Sequence, residues 1–227
     1  MSDIKTLRDE WNAAQKQLRP LLSNPARHAE ILDLILNQHA VLHSAKIAPN
    51  IPWSYEDLLL DDLSENVFRR LLPKEEHTIA WHIWHIARIE DITMHILTAG
   101  EEQIFDSQDW RERLKAKAGD TGNAMTRQEI ETLSETIDLQ ALRAYRLAVG
   151  KETRQIISSI PAEAINTIVD PPRLQRVLDV GAVLPEAMDV IDYWGKRTIG
   201  GLLGMPVSRH MIIHLNQAYT LKEKMHR

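Results

Sequence analysis

Residues 73–100 read PKEEHTIAWHIWHIARIEDITMHILTAG, and the spacing of the isoleucines within them points to a helical fold. Ile79, Ile83, Ile86, Ile89, Ile92 and Ile96 recur at intervals of three and four, which at about 100° per residue places them on one arc of an α-helix. The spacing predicts a long helix starting around Pro73, with Glu75 and Glu76 at its positive N-terminal end and Gly100 closing it. On the same wheel His82 falls near the middle of the apolar arc and His85 at one side of it. His77 and His95 fall with Arg88 and Asp91 on the opposite face, where solvent is expected.

Residues 29–46 place Ile31, Leu32, Ile35, Leu36, Val41 and Leu42 at helical spacing, and Pro49 and Pro52 stop that helix. Ser54 with Asp57 resembles a capping box for a short helix in SYEDLLLDDL, and Thr126 with Glu129 repeats the pattern ahead of QEIETL. DSQDWRERLKAKAG reads as a short surface helix. Residues 139–160 carry Leu142, Tyr145, Leu147, Val149, Ile156 and Ile157 as a third long amphipathic helix, ended by Pro161. Residues 184–194 open with a proline suited to a first helical turn. Gly200, Gly201 and Gly204 then read as a flexible break before a C-terminal helix in MPVSRHMIIHLNQAYTLKEKM. No stretch alternates like a strand. The expected fold is therefore all-α, a four-helix bundle with short accessory helices. Residues 1–227 read as a single domain, with residues 1–25 as an extension and residues 101–138 as an inserted or elongated connection.

At 227 residues, 44% hydrophobic and 26% charged, the chain can bury one sizeable core, which argues against disorder. A formal charge of -5 offers no overall attraction to nucleic acid or anionic membranes, so neither is an expected partner. The start MSDIKTLRDEW has no signal-peptide pattern and no apolar run is long enough to span a bilayer, so a cytoplasmic protein is expected. With no cysteine, a metal site must be built from His, Asp or Glu.

The chain has 10 histidines, and their placement is not random. On the C-terminal helix the apolar arc is set by Val207, Met211, Ala218, Leu221 and Met225, and His210 and His214 lie within or beside it. An i, i+4 pair stacks two imidazoles on one helix face, the arrangement two ligands to one ion require. A lone histidine on an apolar face is more often a hydrogen-bonded core residue. Burying several without partners is costly, however, because each ring has a donor and an acceptor to satisfy, and a shared metal ion satisfies them together. His39 and His43 are equally well placed by periodicity. They could complete the same site, form a second one or serve the core. Glu90 and Asp91 read as solvent-facing or outer charges, TIGGLLG lacks the strand and lysine of a phosphate loop, and Trp81, Trp84 and Trp194 read as packing residues.

TIAWHIWHIARIED and SRHMIIHLNQA together resemble the DinB-like family, damage-inducible four-helix-bundle proteins related to YfiT-type metal-dependent hydrolases. The first stretch is similar to the family's second-helix signature, the second to its closing HxxxH helix. The resemblance implies that His85, His210 and His214 hold a divalent transition metal, Trp84 being what selects His85 over His82. It also implies enzymes that use low-molecular-weight thiols among the relatives, and a homodimer. An all-nitrogen set suits Zn, Ni, Cu or Fe, with Zn or Ni foremost, and leaves coordination positions for water or substrate. The resulting expectation is a metal-dependent hydrolase or thiol transferase acting on a small molecule, with Glu90 as a candidate general base. A non-catalytic metal-binding or interaction bundle is the alternative.

Overall fold

Thr78, rather than Pro73, begins the central helix: its hydroxyl accepts the Trp81 backbone N–H at 2.9 Å, satisfying a donor that the first turn leaves free. Residues 73–77 stay outside the helix because they are held elsewhere. Arg127 donates to the carbonyls of Leu72 and Glu75, and Lys224 pairs with the Glu75 carboxylate. The expectation that Glu75 and Glu76 sit in the helix's first turn is therefore corrected.

The computed structural model describes residues 4–226. In chain order its helices are α1 (Ile4–Leu21), α2 (His28–Leu42), α3 (Tyr55–Leu60), α4 (Glu65–Arg69) and α5 (Ile79–Asp91), the last continuing as a π-helical segment, Ile92–Ala99. Then follow α6 (Ile104–Ser107), α7 (Trp110–Leu114), α8 (Arg127–Thr136), α9 (Leu139–Ser159), α10 (Pro171–Asp179), α11 (Met188–Gly195) and α12 (Ile199–Gly204). A π-helical turn, Met205–Arg209, runs straight into α13 (His210–Met225). Among the described residues there is no strand, only an isolated bridge between Ile168 and Thr198, so the fold is all-α as expected. None of the described helices is long and apolar enough to cross a membrane.

The long helices touch in a ring: α5 packs on α9 and α13, and α2 packs on those same two. Shorter α4 and α8 also cover α5, and α10 covers its π-helical continuation. Every residue of α5 is buried as a result. This overturns the expected solvent face, because Arg88, Glu90 and Asp91 are fully buried and His95 is nearly so. A wheel separates apolar from polar positions, but it cannot show that a helix has neighbours on all sides.

The glycine-rich stretch is likewise not a flexible break but helix α12, capped by Thr198. A Cβ at Gly200 would lie 2.8 Å from the Leu22 carbonyl oxygen and 3.0 Å from Ile165 Cγ2, so the missing side chains let α12 sit against neighbouring backbone. The Thr126–Glu129 capping box is present with both hydrogen bonds, and Ser54 caps α3 through the Asp57 N–H.

Candidate metal centre

His85 lies on α5 with its Nδ1 2.6 Å from the Thr121 carbonyl oxygen. A carbonyl only accepts, so Nδ1 carries the proton and Nε2 presents its lone pair inward. Across from it, α13 brings His210 and His214 one turn apart on the face that meets α5. His85 Nε2 is 3.1 Å from His210 Nε2, and the three ring centroids are separated by 4.4 to 4.9 Å. One nitrogen from each of the three residues lies within 4.8 Å of the others. Sequence reasoning thus named three residues that the fold does bring together.

His82 touches this trio without belonging to it, its Nδ1 lying 2.9 Å from His214 Nδ1. Trp81 covers the site from one side: its ring stacks on His85 at 4.5 Å and 10°, and His77 stacks on its other face at 3.7 Å. Trp81 therefore does more than pack the core.

Burial is the first cause of the electrostatics. It holds His85 down to about 4 and His82 and His210 down to about 3, the neighbouring imidazoles adding to the effect, and it depresses His214 as well. At neutral pH all four rings are uncharged, the form in which imidazole binds a metal. The donor chemistry fits a divalent transition ion: three neutral nitrogens converge, and among the described residues the buried His210 Nδ1 has no hydrogen-bond partner.

The loop that orients His85 is itself fixed. Arg88 donates to the Gly119 carbonyl through Nε at 3.2 Å and Nη2 at 2.8 Å, and the Asp120 carboxylate accepts the Gly122 N–H at 2.7 Å. The Thr121 N–H donates to the Ala182 carbonyl at 3.0 Å. Arg88 also donates to Asp91 and to the Tyr145 hydroxyl, and that hydroxyl donates to Asp91 at 2.6 Å. Asp91 completes the network by accepting the N–H groups of Ile104 and Phe105 at 3.0 Å each. Thr121 carried no signal in the sequence, because its contribution is a backbone carbonyl.

Two openings flank the histidines. A cavity of about 350 Å³ reaches His210 and is lined by Ile89, Asn123, Asp189, Tyr193 and Trp194 among others. A second, of about 460 Å³, reaches His82 and His77 and carries Lys74, Lys224 and Asn216. Glu90, the candidate general base, faces neither: its carboxylate partners are His39 and His43. Those two histidines gather with Glu90 apart from the trio and do not complete its site.

No curated protein matches the sequence. A family model does, over residues 53–218, a span that holds the trio, the Thr121 loop and the whole lining of the cavity beside His210. The chain belongs to the DinB superfamily.

Proposed function

We propose that the chain is a metal-dependent enzyme of the hydrolase or thiol-transferase type, with a divalent transition metal, Zn or Ni foremost, held by His85, His210 and His214. The observation that carries this reading is the convergence of three uncharged imidazoles beside a cavity that could admit a small molecule. Such an ion, when bound, lowers the pKa of a coordinated water or thiol and so supplies a nucleophile near neutral pH.

The chain's own residues do the rest. Thr121 fixes the His85 tautomer, Trp81 shields the ring from water on one face, and α13 supplies two ligands on a single rigid element. Tyr193, Asn123 and Asp189 offer hydrogen-bonding groups in the cavity beside His210, where a small-molecule substrate or a low-molecular-weight thiol would be oriented. Val180, Leu184 and Met188 are exposed apolar side chains on one short stretch, a candidate face for a homodimer.

One observation favours the non-catalytic alternative. His82 stands close enough to His214 to act as a fourth imidazole, and a closed shell of four protein ligands would make the metal structural.

The test is elemental analysis of protein purified without an affinity tag, followed by a screen of electrophiles with several thiols. His85→Ala, His210→Ala and His214→Ala should each lose the ion of this site, and a second replacement should cost little more because the ligands act as a unit. Retention of that ion in all three variants defeats the assignment. An ion lost on His82→Ala as readily, with no exchangeable coordinated water, would move the reading to the structural alternative.

A further inference from the structure

His39 and His43 lie one turn apart on α2, and Glu90 faces them from α5. All three side chains are 0% exposed. His39 Nε2 is 2.7 Å from one Glu90 oxygen and His43 Nε2 is 3.1 Å from the other, so the carboxylate spans both rings. One ligand atom from each residue lies within 4.8 Å of the others.

Three features set this cluster apart from ordinary core packing. Its hydrogen bonding is incomplete: His39 Nδ1, His43 Nδ1, His43 Nε2 and Glu90 Oε2 are buried without a hydrogen-bond partner among the described residues, the 3.1 Å approach of the last two being off the angle an N–H bond needs. Its charge also has no arginine or lysine to balance it among the described residues. A carboxylate removed from water requires a compensating cation; the buried Arg146 spends its short contact on Glu56 at 2.7 Å, which leaves a proton on His39 or His43, or a bound ion, to balance Glu90. Finally, the space around it is shaped. A Cβ on Gly150 of α9 would lie 2.7 to 2.8 Å from the His43 ring, so only glycine seats that imidazole against α9.

We infer that His39, His43 and Glu90 form a second metal site, separate from the trio on α5 and α13, for a divalent first-row transition ion. Two imidazoles and one carboxylate are a donor set such ions prefer, and soft thiolate-seeking metals are disfavoured. Bond lengths of about 2.0–2.2 Å in a tetrahedral shell would separate neighbouring ligand atoms by roughly 3.3–3.6 Å, so the 2.7 and 3.1 Å contacts would open by less than about 1 Å to admit an ion. The bound charge would neutralise Glu90 and give the unpartnered His43 Nε2 and Glu90 Oε2 a common partner. Because the site is wholly buried while His210 and His214 are only partly so, its ion would exchange more slowly than that of the trio.

Zn(II) binding to chelator-stripped, tag-free protein tests this, with stoichiometry read by elemental analysis and release to excess chelator followed over time. Two equivalents per chain are expected, released in a fast and a slow phase. Glu90→Gln, which keeps size and burial, should remove one equivalent and the slow phase, whereas His210→Ala should remove the other equivalent and the fast phase. A wild type that binds a single equivalent, lost in His210→Ala and kept in Glu90→Gln, overturns the inference and leaves a His–Glu cluster sharing a proton. A single equivalent lost in Glu90→Gln but kept in His210→Ala supports it and defeats the trio instead. Should Glu90→Gln not fold, His43→Gln and the wild-type stoichiometry decide the matter in the same way.

Discussion

His85 and His95 lie on one buried helix and respond to acid in opposite senses. Burial depresses His85, His82 and His210 to about 3–4, so between pH 6.5 and about 4 the unfolded chain binds protons that the folded one refuses. These residues therefore contribute stability at neutral pH that is lost as the pH falls through that window, by at most about 1.4 kcal/mol per pH unit for each. His95 is also opposed by burial, but its hydrogen bond and attraction to Asp91 prevail and raise it, so its contribution is present below 6.5 and fades as the pH rises. The depressed imidazoles, His43 and His214 among them, outweigh the one raised, and urea unfolding of metal-free protein should show stability dropping from pH 7 to pH 4. A flat or rising profile would mean that the imidazoles are accessible to protons in the folded state. The sequence could reveal His210 and His214, because an i, i+4 pair beside an apolar arc is a local pattern. It could not show that Asp91 and His95 are buried, since that depends on α9 and α10, whose packing on α5 and its continuation lies far away in the chain.

Elements were legible where local chemistry defines them. Periodicity marked α2, α5, α9 and α13, and hydroxyl caps marked the starts of α3 and α8. Residues 1–25 read as an extension, yet Ile4–Leu21 within them form α1, whose Leu7, Trp11 and Leu18 stand at spacings of four and seven and are buried. α12 was misread because glycine's helix penalty, about 1 kcal/mol per residue, is offset here by the close approach of α12 to Leu22 and Ile165, a gain with no local signature. Gly200→Ala should consequently destabilise rather than stabilise the protein, by about 1–3 kcal/mol, because the new methyl meets a backbone carbonyl that cannot swing aside. Gly201→Ala, whose Cβ would meet nothing closer than 3.5 Å, is the matched control and should be neutral or slightly stabilising. Thermal melts of the two variants separate a packing role from a propensity effect.

At the scale of the molecule, α5 carries a ligand of each candidate site, and the other ligands come from α2 and α13, which it binds into one ring. An ion that binds only the folded chain stabilises it by mass action, about 2.7 kcal/mol at a hundred times its Kd. For a chain of this size that corresponds to a shift in Tm of roughly 5–10 °C. Calorimetry before and after chelation should show a fall of that order, and an unchanged Tm would mean that neither site holds metal. The contact between His85 and His210 joins residues 125 apart in the chain. Contacts of such separation form late, after the chain has closed the intervening loop. On refolding, then, α13 must dock on α5 before the trio is assembled, and if it holds the proposed ion, the speed of metal uptake becomes a clock for that docking rather than a measure of affinity.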